Sequence, residues 1–141
     1  MTTITFTVPG APRGKGRPRF ARRGAHVTTY TDDQTAAYEN LVRLAYVAAG
    51  GTLHEGCEVH VNIHAMFPIP KSFSKAKRAK AIAWEIAPQT KPDIDNVCKS
   101  VLDGCNGVAY ADDKQVTRLQ IEKLYDEQPR LDVEMTFGEV Q

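Results

Sequence analysis

The sequence predicts an α+β domain, a mixed β-sheet with helices packed against it. Two observations carry this. Apolar and polar residues alternate near the amino terminus, in the middle and towards the carboxyl terminus of the chain, as strands require. Between those runs lie three stretches with apolar residues at three- and four-residue spacing, as helices require. The 141 residues suit a single domain over 1–141 and are too few for two comfortable cores. There is no internal repeat and no linker long enough to divide them.

Ile4 to Val8 alternates like an amino-terminal strand, ended by Pro9-Gly10. The next fifteen residues are rich in Gly, Pro and Arg and read as a loop, followed by a short return strand at His26–Tyr30. Thr31 then caps a helix with Gln34 three residues on. Ala37, Leu41, Leu44, Ala45 and Ala48 form its apolar stripe, and Gly50-Gly51 stop it. Cys57 to Phe67 is the clearest strand, with Val59, Val61, Ile63, Ala65 and Phe67 facing one way. Ser74 caps a basic helix reaching about Ile86, with Trp84 as a core anchor near its end. Pro92 starts another helix near Asp93, whose buried face is Val97, Cys98, Val101, Leu102 and Cys105. Asn106-Gly107 stops it. Val116–Tyr125 and Leu131–Phe137 alternate again, joined by a polar turn at residues 126–129. The order is β-β-α-β-α-α-β-β.

Composition excludes several classes. With 42% hydrophobic and 25% charged residues the chain sits at globular averages. The uncharged stretch Leu44 to Leu53 falls far short of the roughly 20 apolar residues that cross a bilayer. Met1-Thr2-Thr3-Ile4 has no basic or apolar leader, so a cytoplasmic protein without membrane contact is expected. The three cysteines, Cys57, Cys98 and Cys105, form no CxxC pair and argue against disulfides and zinc knuckles. They read as small core residues. His60 and His64 stand on the polar face of a strand, two pleats apart, and do not make a helical zinc pair.

The net charge of +1 conceals segregation. Arg13, Lys15, Arg17, Arg19, Arg22 and Arg23 occur with no acid among them, in a loop whose glycines allow close approach to a backbone. Such a run suits DNA phosphates, and it also suits a merely solvated loop. A second basic run, Lys71 to Lys80, reads as a solvated helix face. Acids gather later in the chain.

The densest of these is Lys91-Pro92-Asp93-Ile94-Asp95-Asn96-Val97-Cys98-Lys99. On a helix Asp95, Lys99 and Asp103 are successive i,i+4 neighbours on one face, with Asp93 at its mouth. The helix to Cys105 rises about 18 Å at ~1.5 Å per residue. Gly107 to Asp113, if extended, covers about 20 Å at ~3.3 Å per residue. A chain turning back at Asn106-Gly107 would therefore bring Asp112-Asp113 beside Asp93 and Asp95. A few carboxylates with room for water and phosphate oxygens describe a Mg²⁺ site, and Lys99 could hold the attacking water or offset charge on phosphorus. An acidic first turn, a surface Lys–Asp pair and an ordinary Asp-Asp turn would produce the same spacing.

These residues resemble a known family, the RusA-like crossover-junction endodeoxyribonucleases of prophages and phages. Lys91–Lys99 resembles their K-P-D-x-D-N-L-x-K motif, Asp103-Gly104-Cys105-Asn106-Gly107 their D-A-L-N-G, and Asp112–Val116 their D-D-x-Q-V. Pro9–Arg19 is similar to their G-x-P-x-x-K-x-R-P-R opening. The resemblance implies metal ligands at Asp93, Asp95 and Asp113, with Asp112 in support, and a catalytic lysine at Lys99. It also implies a homodimer that nicks four-way junctions symmetrically with Mg²⁺ or Mn²⁺, resolving Holliday junctions and leaving 5′-phosphate ends. Val97 for Leu, and Gly104-Cys105 for Ala-Leu, are departures at packing positions. Two other readings stay open at this point, a catalytically silent DNA-binding module and a nuclease of the same chemistry acting on flaps or forks.

Overall fold

The strongest alternating run in the sequence becomes the second-to-last strand of a four-stranded sheet, with a neighbour on each side. The computed structural model describes residues 1–16, 19–30 and 33–140, without the side chains at 19–21, 23 and 28–30. In chain order the elements are β1 (Thr2–Pro9), β2 (Arg19–Arg23), β3 (His26–Tyr30), α1 (Asp33–Ala48), β4 (Val59–Pro68), α2 (Lys75–Ile82), α3 (Ile94–Cys105), β5 (Val116–Asp126) and β6 (Arg130–Phe137). A 3₁₀ turn at Asp113–Gln115 precedes β5. The sheet order is β1-β6-β4-β5, with β4 and β5 parallel and the other pairs antiparallel. The fold is α+β with a mixed sheet.

A parallel pair needs a crossover, and α2 and α3 supply it between β4 and β5. The polar turn after β5 carries the chain past the end of β4, so β6 pairs on the far side of β4 and not with β5. Val59, Val61, Ile63, Ala65 and Phe67 are buried, as are Leu131, Val133, Met135 and Phe137 of β6 and Phe6 and Val8 of β1. The opposite face presents Thr5, Asn62, His64, Asp132 and Glu134 around a shallow groove of about 290 Å³. One buried and one solvated face explain the clean alternation.

The structure corrects four local expectations. First, Arg19–Arg23 is a strand, paired with β3 as a separate hairpin. Second, α1 buries Thr35, Tyr38, Val42 and Tyr46, while Ala37 and Ala48 face outward and Leu44 is 56% exposed. The larger tyrosine rings win the inward face: Tyr46 meets Phe6 edge-on at 5.5 Å and donates its hydroxyl to Thr52 O at 2.6 Å. The expected cap at Thr31 lies outside the described residues. Third, α2 starts at Ser74, whose side chain accepts from Lys77 N, but ends at Ile82. Beyond it Trp84 takes a left-handed φ of 61° and stands 53% exposed, its indole N–H bonded to Tyr125 O at 2.9 Å. Trp84 is therefore no core anchor. Fourth, residues 106–110 are coiled and not extended, with Gly107 N bonded to Tyr110 O at 2.8 Å. The three cysteines are free and buried.

Candidate active site

Helix α3 buries Val97, Cys98, Ser100, Val101, Gly104 and Cys105. Asp95, Lys99 and Asp103 share another face of the helix, as i,i+4 spacing dictates. Asp93 is the N-cap, preceded by a cis Lys91–Pro92 bond, yet its carboxylate makes no capping hydrogen bond. Asp93, Asp95 and Lys99 are exposed, and none forms a salt bridge with a described residue. Two carboxylates and an ammonium thus stand without an ion-pair partner among the described residues, within two turns of one helix.

The start of the basic loop lies across this helix. Lys15 N donates to Asn96 O at 3.0 Å, Ser100 Oγ to Arg13 O at 3.0 Å, and Gly16 N to Thr35 Oγ1 at 3.0 Å. The approach is so close that a Cβ on Gly14 would fall 2.8 Å from Asn96 Cβ and 2.9 Å from Pro92 Cβ. A cleft of about 390 Å³ opens beside it, lined by Arg13, Gly14, Gly16, Thr35, Lys91 and Pro92 among others. Its lining includes Lys91 and Pro92, the two residues before Asp93, whereas the groove on the open sheet face holds none of the motif residues, so α3 carries the candidate site.

Of the six basic residues expected on DNA, Arg13 and Arg22 are exposed. Lys15 instead turns inward: its Nζ lies 2.7 Å from Glu39 Oε1 and 2.9 Å from Asp103 Oδ2. Burial works against its charge, but the bonds to Glu39 and Asp103 outweigh it and hold the ammonium above its ordinary pKa of 10.5. Arg17, and the side chains of Arg19 and Arg23, lie outside the described residues.

Asp112 and Asp113 are set by a capping box. Asp112 Oδ1 accepts from Lys114 N at 3.1 Å, while Gln115 Oε1 accepts from Asp112 N at 3.4 Å and from Ala111 N at 2.9 Å. Gln115 Nε2 also donates to His54 O at 3.0 Å and Cys57 O at 3.1 Å, pinning the turn to the loop before β4. A side-chain hydrogen bond to the accepting Asp112 carboxylate raises the Asp113 pKa, helped by burial and by the charges of Asp112 and Asp103, with Lys99 opposing. Asp112 moves the other way, chiefly through its bond from the Lys114 backbone. The charges of Lys99 and Asp103 are thus felt at Asp113, on the turn that follows the coiled 106–110 segment. Among the described residues no three or more Asp, Glu, His or Cys side chains are grouped closely enough to enclose a metal. Asp93 and Asp95 could each offer carboxylate oxygens to a cation at the helix mouth, and the motif resemblance adds Asp113 as a candidate.

Residues 9–136 match the family model for the endodeoxyribonuclease RusA. The chain belongs to the RusA endodeoxyribonuclease family. The "Uncharacterized protein YqaN" of Bacillus subtilis (strain 168) is 37% identical to it over 136 residues, 94% of this chain and 95% of that protein. Against the RusA-like motifs, Gly104 replaces alanine because α1 passes so near: a Cβ there would lie 2.9 Å from Glu39 O and 2.9 Å from Val42 Cβ. The departure marks a tighter helix contact and not a looser one. Sequence reasoning missed the anchoring roles of Gln115, Ser100 and Gly14. For Gln115 the D-x-x-Q capping pattern was an available signal; for the other two nothing local marked the contact.

Proposed function

We propose that this RusA-family chain is a Mg²⁺-dependent endonuclease of branched DNA that resolves four-way junctions by hydrolysing phosphodiester bonds. The observation that carries the reading is Asp93, Asp95 and Lys99 on one helix, unpaired among the described residues, with the Arg13–Gly16 segment anchored directly over it. The donor set fits Mg²⁺ or Mn²⁺. Such ions take one or two carboxylates and keep water and substrate oxygens for the rest, so a closed cage is not required. Asp113, whose pKa is raised beside Asp112, marks an excess of negative charge that a cation would relieve.

When bound, the ion supplies an activated water and neutralises charge on the phosphodiester. Asp93 and Asp95 would hold it, with Asp113 completing the set. Lys99 would donate to the phosphate oxygens as charge builds on them. Arg13 and Arg22 would bind the strand through phosphates, giving affinity and salt dependence without sequence choice. Two copies acting as a homodimer in the cytoplasm would nick opposite strands of a junction and leave 5′-phosphate ends.

Cleavage of a synthetic four-way junction, with Mg²⁺ and then with EDTA, tests this. Paired nicks that EDTA abolishes are expected. Binding without cleavage in Mg²⁺ or Mn²⁺ would instead make the chain a silent junction-binding module. Faster cutting of flaps or forks would change the substrate.

A further inference from the structure

Lys99 has acids four residues away on both sides, Asp95 and Asp103, the spacing at which helix side chains pair. It forms no salt bridge with a described residue, and Asp103 is already engaged. The group engaging it comes from outside the helix: Lys15 Nζ at 2.9 Å, which also grips Glu39 Oε1 of α1 at 2.7 Å. The backbone of Lys15 is anchored by the bond from its N–H to Asn96 O at 3.0 Å, and its side chain is only 23% exposed. It sits between two carboxylates, so the cluster of three carries a net negative charge. A DNA phosphate would be repelled there.

We infer that Lys15 is a positioning residue: by occupying Asp103 it keeps the Lys99 ammonium uncommitted and free to face the reacting phosphate. The inference rests on the proposed nuclease function. It assigns Lys15 a task different from phosphate contact, although it lies in the arginine loop. It also couples the loop to the chemistry, since a loop lifted from α3 would release Asp103 onto Lys99.

The test compares the wild type with Lys15→Met, Lys15→Arg and Lys15→Met/Asp103→Asn, by crystal structure, junction Kd and single-turnover cleavage. In Lys15→Met, Lys99 Nζ should close to within about 4 Å of an Asp103 carboxylate oxygen. Cleavage at saturating junction should fall roughly 100- to 1,000-fold, the scale of losing one charge-stabilising donor. Junction Kd should stay within about twofold, because no phosphate contact is lost. Adding Asp103→Asn should free Lys99 and restore most of the rate, and Lys15→Arg should retain it. If Lys15→Met leaves Glu39 and Asp103 too strained to fold, the same comparison is made in a Glu39→Gln background.

The inference is overturned if Lys99 stays unpaired in Lys15→Met, or if the double variant cuts no faster than Lys15→Met. It is also overturned if Lys15→Met weakens binding and flattens its salt dependence at an unchanged rate. Failure of the parent reading looks different: the wild type would not cut, or Lys99→Met would cut normally, while the crystal structures would still report the Lys99–Asp103 pairing.

Discussion

Gly14→Ala adds one methyl where the arginine loop crosses α3. The new Cβ would meet Asn96 Cβ at 2.8 Å and Pro92 Cβ at 2.9 Å, both at the rigid start of the helix. Carbon contacts in proteins settle near 4 Å, so the loop must lift by about half an ångström or more. That stretches two bonds now at 3.0 Å, Lys15 N to Asn96 O and Ser100 Oγ to Arg13 O, to the limit of useful hydrogen bonding. Each contributes about 1 kcal/mol net. The stiffer unfolded chain offsets roughly 0.5 kcal/mol of the loss. The balance is a destabilisation of about 1–1.5 kcal/mol, read as a lower urea midpoint at unchanged slope. Junction affinity should weaken about fivefold as Arg13 moves with the loop, the equivalent of about 1 kcal/mol. Gly14→Ala with wild-type stability and binding would refute the close crossing.

Other outcomes follow from the same geometry. Gly104→Ala restores the family's alanine and gains up to about 1 kcal/mol of helix propensity. It forces a Cβ to 2.9 Å from Glu39 O, overpacking worth about 1–3 kcal/mol, so the melting temperature should drop and not rise. Arg22→Ala should weaken junction binding equally for all sequences and reduce the salt slope by about one ion, as a titration of Kd against salt would show. At alkaline pH the fold should weaken. Burial pushes Tyr38 and Tyr46 from 10.0 up to about 12, so the native state keeps protons that the unfolded chain releases. Their contribution is full below pH 10 and lost as pH rises towards about 12, which melting curves across that window would show. Tyr38→Phe should make the decline shallower.

Where the sequence was legible, one local pattern dominated. Strand β4 alternates because one face is core and the other solvent, and α3 shows its apolar stripe because only one side is buried. Helix α1 was misread because it carries two apolar stripes. Volume decided between them, with Tyr38 and Tyr46 taking the inside in place of Ala37, Leu44 and Ala48, while Leu41 and Ala45 pack at the edge of the core. Strand β2 escaped notice because Arg19–Arg23 lacks alternation and becomes a strand through pairing with β3.

At the site, Asp93, Asp95 and Lys99 were readable from helix spacing, since neighbours four apart share a face whatever the fold does. Lys15 was not, because its partners Glu39 and Asp103 come from two distant elements and a charge run says nothing of which members turn inward. The path to Asp113 was misjudged in shape. Gly107 N bonds back to Tyr110 O at 2.8 Å, coiling a segment that length alone allowed to run straight.

In the proposed function, cleavage depends on carboxylates at the mouth of α3 while junction binding depends on the loop above it. Asp95→Asn keeps the size and shape of the side chain and removes its charge. Measured side by side in Mg²⁺, this variant should bind a four-way junction as the wild type does and cut none of it. Wild-type cleavage by Asp95→Asn would contradict the account.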